Sequence, residues 1–317
     1  KGGGRMKHVT SIAFVLMLMA VHASAQTNCS FAWGWTMQTA QLKDNISLNY
    51  YDTGKGQPIV LLHGLGGHAA HWLQNIDGLV KAGHRVIAIN LPGYGSSQPM
   101  LANDAAQQLH NYASVVQALV ENLRLKKVIL AGHSMGGQTA MLIALQQPKW
   151  LEKLVLAAPA GLETFTAQEA ALLKQYATPA FFKQQDSATI ARNVKTSFYN
   201  MPASAAALIQ ERNSMKSCAG FDDYCKTVSA GVAGMLGAPV ADQLSQIRVP
   251  VLVLFGKQDA SIPNKLLHPQ LQHADVMNVA LKNIPTVTAV WLEEAGHMLQ
   301  WEKPADFNNA LLHFIRQ

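Results

Sequence analysis

Short runs of apolar and β-branched residues alternate with longer stretches of helical periodicity from about residue 45 to the C-terminus. This alternation predicts parallel strands that are joined by crossover helices. Several of the short runs are apolar at every position, which is typical of strands covered by helices on both faces of a sheet. The predicted strands are ISLNYYD (46–52), PIVLLH (58–63), RVIAIN (85–90), KVILAG (127–132), KLVLAA (153–158), VLVLFG (251–256) and TVTAVWL (286–292).

Helical periodicity between these runs predicts the crossover helices. Pro148 follows the third predicted helix and Pro304 opens the last one, positions at which proline is common. The predicted helices cover residues 70–82, 105–125, 134–147 and 304–315.

The interval from Leu162 to about Ser245 breaks this rhythm. It contains no convincing strand and consists of Ala-, Gln- and Leu-rich helical stretches that are interrupted by proline and glycine. Such an interval is too long for an ordinary connection between two elements. We therefore predict a helical cap that is inserted over one end of the sheet. The alternative, a separate domain, would need a large core of its own.

The N-terminal residues have the pattern of a secretory signal. KGGGR, which precedes Met6, resembles a cloning or translation remnant. From Met6 a basic start leads into an apolar run over 12–21 and then into Ala23 and Ala25, in the A-x-A register of a cleavage site. The run is shorter than the roughly 20 residues that span a bilayer, which disfavours an uncleaved membrane anchor. We expect cleavage before Gln26 and a periplasmic or secreted protein.

These patterns divide the chain into four ranges. A hydrophobic content of 49% and a charged content of 14% over 317 residues fit a compact fold with a large core and argue against disorder. The predicted ranges are the remnant with the signal peptide (1–25), an α/β core in two pieces (26–161 and 246–317) and the helical cap (162–245).

The charge balance argues against a nucleic-acid partner. The formal net charge is +6, and removal of residues 1–25, which carry three basic residues and no acidic ones, leaves +3. No basic run or Arg-rich helix remains, so the lysines and arginines are interpreted as solvated surface residues. The sequence leaves the oligomeric state open.

The three cysteines are Cys29, Cys218 and Cys225. Cys218 and Cys225 enclose AGFDDY, a short loop that a disulfide could close in an oxidising compartment. Two unpaired buried thiols are the alternative. Cys29, near the expected mature N-terminus, is left over.

AGHSMGG (131–137) places Ser134 directly between a predicted strand and a predicted helix. A G-x-S-x-G motif alone is a weak signal, but this placement forces a sharp, strained turn at the serine. Gly132 and Gly136 are then required, because neighbouring backbone crowds both positions. The turn exposes the hydroxyl at the carboxyl end of the strand, where N–H groups of the helix N-terminus favour a negative charge.

A serine nucleophile needs a base, and two later loops supply a histidine and an acid. GKQDASIP places Asp259 just after a predicted strand, and EEAGHMLQWEKP places His297 between the last strand and the last helix. The chain order Ser134, Asp259, His297 is that of one hydrolase architecture. His297 would take the proton of Ser134 while Asp259 orients the imidazole. Glu163 is a rival acid, and His133 is expected to pack beside the turn.

A tetrahedral intermediate needs N–H donors for its oxyanion. HGLGG (63–67) follows a predicted strand, so the backbone N–H of Leu65 is expected to act there together with that of Met135. The histidines near this turn lack a carboxylate set, so neither a metal nor another cofactor is predicted. The aromatic residues predicted to line an apolar substrate pocket, with packing inside the cap as the alternative, are Trp72, Phe181, Phe182, Phe198 and Tyr199.

Five motifs in this order resemble those of the α/β-hydrolase superfamily. The resemblance covers the chain from about Ile46 to its end, and it is most similar to bacterial ester-hydrolase and lipase-like members with a helical cap, including monoacylglycerol-lipase-like relatives. It implies an α/β-hydrolase fold, a mostly parallel, doubly wound sheet with an inserted helical cap. The motifs are HGLGG, NLPGYGSS (90–97), GHSMGG, GKQDASIP and AGHMLQWEKP.

The leading hypothesis is an exported serine hydrolase that cleaves a small-molecule carboxylic ester with an apolar moiety, through an acyl-enzyme intermediate on Ser134. Hydrolysis of an amide, thioester or C–C bond, or perhydrolase activity, would use the same triad. A receptor-like binding protein with little turnover is the contrasting class. Epoxide hydrolase and haloalkane dehalogenase chemistry is disfavoured, because those relatives attack through a carboxylate. The superfamily hosts many chemistries, so the resemblance names no natural substrate.

Overall fold

A computed structural model describes residues 33–317 of the chain, and the predicted signal peptide, its cleavage position and Cys29 lie outside these residues. Eight strands of the described residues form one sheet. All seven predicted strands are present, within one or two residues of their predicted bounds. The strands are β1 (Gln38–Gln41), β2 (Ser47–Thr53), β3 (Pro58–Leu62), β4 (Arg85–Ile89), β5 (Val128–His133), β6 (Leu151–Ala157), β7 (Val251–Gly256) and β8 (Val287–Leu292).

The strand order across the sheet is β1-β2-β4-β3-β5-β6-β7-β8. β2 pairs antiparallel with both β1 and β4, whereas all the other neighbouring strands are parallel. The parallel strands therefore end at one edge of the sheet, and the loops that follow β3, β5, β7 and β8 meet there. The predicted mostly parallel, doubly wound sheet is confirmed.

Helices cover both faces of this sheet, and every residue of β3, β5 and β7 is buried. Each fully buried Val, Leu or Ile side chain stabilises the fold by about 1.5–3 kcal/mol relative to an exposed one. The helices are α1 (Leu73–Lys81), α2 (Gln108–Asn122), α3 (Met135–Leu145), α4 (Ala167–Tyr176), α5 (Pro179–Lys183), α6 (Ser187–Thr196), α7 (Ala206–Met215), α8 (Phe221–Gly237), α9 (His273–Asn283), α10 (Leu299–Glu302) and α11 (Pro304–Arg316). Within residues 33–317, no helix has the length and apolarity needed to cross a membrane.

The four predicted helices correspond to α1, α2, α3 and α11. A short 3-10 helix precedes two of them, Ala69–Trp72 before α1 and Ala105–Gln107 before α2. The sequence pattern does not predict β1 or α9. β1 is four residues long and buries only Ala40, so it leaves almost no apolar pattern to detect. α9 buries three of its 11 residues.

Helices α4 to α8 lie between β6 and β7, inside the segment predicted to form a cap. α4 and α5 bury none of their residues, whereas α8 buries seven of its 17, so α8 is the cap layer next to the core. It approaches the 3-10 helix that precedes α2 so closely that a Cβ atom at Gly237 would lie 2.5 Å from Cβ of Ala106. The domain boundaries at 161 and 245 stay a prediction.

The suggested disulfide is wrong, because Cys218 and Cys225 are both free thiols. Cys225 is buried on α8, and Sγ of Cys218 instead donates to the carbonyl oxygen of Ser214 at 3.7 Å. The loop between them continues directly into α8, whose hydrogen bonds hold its start without a covalent link. Two unpaired thiols were the alternative to a disulfide in the sequence interpretation, and the structure has them.

Candidate active site

Ser134 forms the junction between β5 and α3. Its backbone has φ 53° and ψ −119°, a conformation that costs a residue with a side chain on the order of 1–3 kcal/mol. A Cβ atom at Gly132 would lie 2.3 Å from the carbonyl oxygen of Gly136, and one at Gly136 would lie 2.5 Å from that of His63. The predicted need for glycine at both positions is therefore confirmed. The turn places Ser134 on the wall of a cavity beneath the cap.

The loop after β3 forms a tight turn at residues 64–67, called here the glycine turn. It lies directly against the serine, because a Cβ atom at Gly64 would lie 3.0 Å from Cβ of Ser134. Leu65 lines the same cavity as Ser134. Met135 occupies the first position of α3, where a backbone N–H has no acceptor within the helix. Both residues predicted to supply oxyanion donors thus flank the serine, and their role stays a prediction.

His63 holds the entry into the glycine turn. Its Nδ1–H donates to the carbonyl oxygen of Gly64 at 2.8 Å, and its Nε2 accepts the backbone N–H of Leu91 at 3.1 Å. Burial lowers the pKa of His63 to about 3, so the ring stays neutral and keeps this arrangement. The turn is thereby tied to the loop that follows β4.

Asp259 and His297, from the loops after β7 and β8, are in direct contact. His297 Nδ1 lies 2.8 Å from Asp259 Oδ2, and the other carboxylate oxygen accepts the backbone N–H groups of Ser261 (2.7 Å) and Ile262 (3.0 Å). The aspartate side chain is fully buried, so these donors compensate its charge. Because Nδ1–H donates to the carboxylate, Nε2 of His297 is left free. His297 lines the same cavity as Ser134.

His133, next to the serine, packs beside the turn and contacts the loop that carries His297. Its Nε2–H donates to the carbonyl oxygen of His297 at 2.9 Å, and the two imidazole centroids lie 4.8 Å apart. Burial lowers the pKa of His133 well below its ordinary value, so the ring is neutral. This histidine therefore supports the position of His297.

A carboxylate that the sequence interpretation missed ties the same loop to the cap. Glu302 on α10 accepts the backbone N–H of Gly296 at 2.8 Å and that of Tyr199 at 3.1 Å, and it also accepts that of Asn200. Tyr199 and Asn200 belong to the connection between α6 and α7. The signal in the sequence was the acidic residue in the motif AGHMLQWEKP, five residues after His297.

The cavity shared by Ser134 and His297 has a volume of about 580 Å³ and lies between the carboxyl edge of the sheet and the cap. Most of its wall is apolar. Besides the histidines His71, His133 and His297, this wall carries two carboxylates and one guanidinium, namely Glu163, Glu211 and Arg212. The larger apolar side chains that line it include Phe165, Phe182, Phe198, Leu208, Met235 and Met298.

Three of the five aromatic residues predicted to line the substrate pocket lie elsewhere. Phe181, on the short helix α5, is about half exposed and is not among the cavity residues. Trp72 is fully buried in the core and packs on Phe307 of α11 at 5.6 Å between ring centroids, because it sits at the start of α1, whose inner face meets α11. Tyr199 is half exposed and is not among the cavity residues. Phe198 does line the cavity, as Phe182 does.

Glu211 and Arg212, adjacent on α7, are cavity residues that the sequence did not single out. Glu211 pairs with Nε2 of His68 at 2.7 Å and accepts the indole N–H of Trp33 at 3.1 Å. Burial by itself raises the pKa of a carboxyl, but the neighbouring His68 and these hydrogen bonds bring the pKa of Glu211 below its ordinary value. In the sequence, Glu211 and Arg212 appear only as two adjacent, oppositely charged residues within the predicted cap.

The histidines near the glycine turn are engaged in packing and hydrogen bonds. His71 lines the cavity, and burial lowers its pKa well below the ordinary value. No group of three or more His, Cys, Asp or Glu side chains among residues 33–317 is arranged to hold a metal ion.

Glu163, the rival acid, pairs with a different histidine. Its carboxylate accepts Nδ1–H of His268 at 2.5 Å and the backbone N–H of Asn264 at 3.0 Å. Nε2 of His268 faces a second carboxylate, Glu169 on α4, at 3.3 Å, and Phe165 stacks on the ring. This cluster joins the start of the cap to the loop after β7.

The Glu163 cluster predicts a pH-dependent contribution to stability. The hydrogen bond to Glu163 raises the pKa of His268, partial burial opposes this, and the charges of Glu163 and Glu169 add to it. A raised pKa means that the stabilisation is complete below the ordinary value of about 6.5 and is lost as the pH rises through the higher pKa of the folded state. His268→Gln is therefore expected to lower the free energy of unfolding by on the order of 1 kcal/mol at pH 5.5 and by much less at pH 9.

Urea unfolding of the wild type and His268→Gln at pH 5.5, 7 and 9 measures this difference. His110→Gln, a histidine change on α2 away from the cluster, is the matched control. A loss in His268→Gln that is the same at all three pH values would contradict the prediction.

A strained serine between a parallel strand and a helix, with a buried carboxylate–imidazole pair at the same edge of the sheet, is the architecture of α/β hydrolases. A family model of the alpha/beta hydrolase fold matches residues 57–304, and the chain belongs to this family. The protein is therefore an α/β hydrolase with an eight-stranded, mostly parallel sheet among its described residues.

Two proteins of similar sequence are named as hydrolases. The chain is 27% identical over 286 residues to the 2-hydroxy-6-oxononadienedioate/2-hydroxy-6-oxononatrienedioate hydrolase of Burkholderia vietnamiensis. The matched residues cover 86% of this chain and 92% of the relative. The chain is 29% identical to the 2-hydroxy-6-oxo-6-phenylhexa-2,4-dienoate hydrolase of Comamonas testosteroni, over 85% of this chain and 91% of the relative.

Solved structures agree on the fold. A probable hydrolytic enzyme from Pseudomonas aeruginosa PAO1 superposes with a TM-score of 0.79 at 25% identity, over 89% of this chain and 95% of that one. An esterase from Exiguobacterium antarcticum has a TM-score of 0.73 at 22% identity, over 89% of this chain and 100% of that one.

Proposed function

We propose that the protein is a serine hydrolase that cleaves carboxylic esters with an apolar moiety through an acyl-enzyme on Ser134. The observation that carries this proposal is the 2.8 Å contact of Asp259 with His297, on the wall of the apolar cavity that also holds Ser134. We propose further that it acts in the periplasm or outside the cell, since residues 6–25 have the pattern of a secretory signal.

Acylation follows from these positions. Nε2 of His297, free because Nδ1–H donates to Asp259, takes the proton of the Ser134 hydroxyl as Oγ attacks the ester carbonyl carbon. The carbonyl oxygen becomes an oxyanion and accepts the N–H groups of Leu65 and Met135. The bond to the alcohol oxygen then breaks, the imidazolium returns its proton to that oxygen, and the acyl group stays on Ser134.

Deacylation repeats these steps with water. His297 takes a proton from a water molecule while the water oxygen attacks the acyl carbon. The oxyanion of this second tetrahedral intermediate accepts the same two N–H donors. Its collapse breaks the bond to Oγ of Ser134, which recovers the proton from His297, and the carboxylic acid leaves. The apolar wall lowers the local dielectric, which strengthens the stabilisation of the oxyanion by these donors.

The second candidate function is hydrolysis of a C–C bond in a keto acid. Its specific support is Arg212, whose cationic guanidinium lines an otherwise mostly apolar cavity and can pair with a substrate carboxylate. The relatives from Burkholderia vietnamiensis and Comamonas testosteroni are named for dienoate and dienedioate substrates, which carry such carboxylates. The same serine, histidine and aspartate would serve this reaction.

Steady-state kinetics on the two substrate classes tests the proposal. The esters are p-nitrophenyl esters from acetate to laurate, and the keto acid is 2-hydroxy-6-oxo-6-phenylhexa-2,4-dienoate. We expect kcat/KM for the best ester of the series to exceed that for the keto acid by at least about 100-fold, a difference of about 2.7 kcal/mol in transition-state binding. The reverse order would favour C–C hydrolysis. Lack of turnover on both, together with no labelling of Ser134 by a fluorophosphonate, would favour a binding protein.

A further inference from the structure

Two cap side chains bind one carbonyl oxygen of the glycine turn. The carbonyl oxygen of Gly66 accepts the hydroxyl of Tyr224 at 3.1 Å and also a guanidinium N–H of Arg212. Arg212 lies on α7 and Tyr224 on α8, so both donors come from the cap. We propose that Tyr224, assisted by Arg212, is a positioning residue that holds the glycine turn in the conformation that presents the Leu65 N–H to the oxyanion. This inference rests on the proposed function.

The turn is held in an unusual backbone conformation at this carbonyl. Gly66 has φ +68°, and a Cβ atom there would lie 3.0 Å from both the Tyr224 hydroxyl and a guanidinium nitrogen of Arg212. α8 also packs directly on the next side chain, because a Cβ atom at Gly231 would lie 2.7 Å from Cδ1 of Leu65. The cap therefore contacts the turn on the Leu65 side chain and on the peptide between Gly66 and Gly67. The N–H of that peptide donates to the carbonyl oxygen of Gly64 at 3.1 Å, and this carbonyl shares its peptide with the Leu65 N–H.

The two donors hold each other in place. The guanidinium of Arg212 lies over the Tyr224 ring at 4.9 Å from its centroid, and Phe221 stacks on the same ring at 6.1 Å. Burial raises the pKa of Tyr224 to about 12, so the phenol keeps its proton and remains a donor. A side chain restrained in this way holds its acceptor with little loss of entropy.

The neighbouring residue on α7 restrains the end of the turn. Glu211 binds His68, which follows the glycine turn directly, at 2.7 Å. From the other side, Nδ1–H of His63 donates to the carbonyl oxygen of Gly64 at 2.8 Å. The core thus holds the first peptide of the turn, while the cap holds its end. Movement of the cap away from the core would remove the Gly66 contacts and weaken the hydrogen bond from the Gly67 N–H to the Gly64 carbonyl. The Leu65 N–H, which shares the peptide of that carbonyl, would then be less well oriented.

Tyr224→Phe tests the inference, because it removes the hydroxyl and keeps the ring. We expect kcat for a p-nitrophenyl ester to fall between about 10-fold and 100-fold with little change in KM, since a misplaced donor weakens transition-state binding specifically. The inhibition constant of phenylboronic acid, which forms a tetrahedral adduct with an active serine, should weaken by a similar factor. Tyr112→Phe, a buried phenol near Tyr94 in the same aromatic cluster, is the matched control and should change neither value.

Hydrogen–deuterium exchange gives a readout that does not depend on turnover. The peptide that covers residues 63–72 should take up deuterium faster in Tyr224→Phe than in the wild type and in Tyr112→Phe, because the turn loses one of the two donors to the Gly66 carbonyl. Unchanged uptake would overturn the inference. Faster uptake with an unchanged kcat, a change in KM alone, or an equal loss of kcat in Tyr112→Phe would also overturn it.

The exchange measurement also separates the two proposals. If the wild type hydrolyses no ester and no keto acid, the proposed function fails, and the exchange data alone decide whether Tyr224 holds the turn. If the wild type is active and Tyr224→Phe matches it in kcat and in exchange, only the positioning role fails.

Discussion

Ser134→Ala is expected to lower kcat/KM for p-nitrophenyl esters by about 10⁴-fold or more, which corresponds to about 5 kcal/mol of transition-state stabilisation. The hydroxyl oxygen of this residue forms the covalent bond of the acyl-enzyme, and alanine has no atom to replace it. Labelling by a fluorophosphonate should disappear with the hydrolysis. The rate that remains would come from substrate binding and from the oxyanion donors, which the substitution leaves in place.

Thermal unfolding and a second serine variant test whether the loss of activity comes from a folding defect. Alanine at position 134 has about the same backbone strain as serine at this positive φ. The melting temperature should therefore stay close to that of the wild type. Ser197→Ala is the matched control, because Ser197 also lines the cavity but its hydroxyl donates to the carbonyl oxygen of Asn193. Hydrolysis by Ser134→Ala at the wild-type rate would end the proposed mechanism.

Asp259→Asn should be the next most damaging change, with a loss of about 10³- to 10⁴-fold in kcat. The amide oxygen can still accept the backbone N–H groups of Ser261 and Ile262, so its NH₂ group turns towards Nδ1 of His297. His297 is then held with its proton on Nε2, the nitrogen that must accept the proton of Ser134. The fold stays intact, while the base is held in the wrong tautomer.

Glu163→Gln is the matched control for Asp259→Asn. Glu163 is also a cavity carboxylate bonded to a histidine, but its partner is His268, so we expect a change in kcat of less than about fivefold. Steady-state kinetics of both variants at pH 7 measures the difference. Equal losses in the two variants, or more than about one tenth of the wild-type kcat in Asp259→Asn, would argue against Asp259 as the acid.

The cap contacts both loops on which the proposed chemistry depends. Glu302 links the loop that carries His297 to the connection between α6 and α7, and Tyr224 binds the glycine turn from α8. The backbone N–H of Met298 also donates to the carbonyl oxygen of Ser197 in the cap at 2.8 Å. Substitutions in the cap are therefore expected to change kcat as well as substrate preference.

The sequence was sufficient for seven of the eight strands of the described residues and for the serine turn, because their signals are local. A strand buried on both faces must be continuously apolar. A serine between a strand and a helix needs glycine at the two flanking positions where a Cβ atom would lie within 2.5 Å of neighbouring backbone. The pairing of Asp259 with His297 was also accessible, since the ends of parallel strands meet at one edge of the sheet. β1 was missed because only one of its four residues is buried.

The pocket was predicted less well, because an aromatic residue has the same appearance in sequence whether it faces a core or a cavity. Trp72 packs on Phe307, more than 200 positions away in the chain, and no local pattern indicates that contact. Arg212 and Tyr224 likewise meet Gly66 only after the cap has folded over the sheet. Neither residue belongs to a motif with a fixed spacing.

The sequence by itself determined seven of the eight strands of the described residues, the strained serine turn and the contact of Asp259 with His297, because each depends on residue type and on position relative to a strand end. Only the tertiary structure decided which side chains face the cavity, that Cys218 and Cys225 are unpaired, and that the cap binds the glycine turn. The physical reason is that these contacts join segments far apart in the chain, whose distances are set by how the cap helices pack on the core.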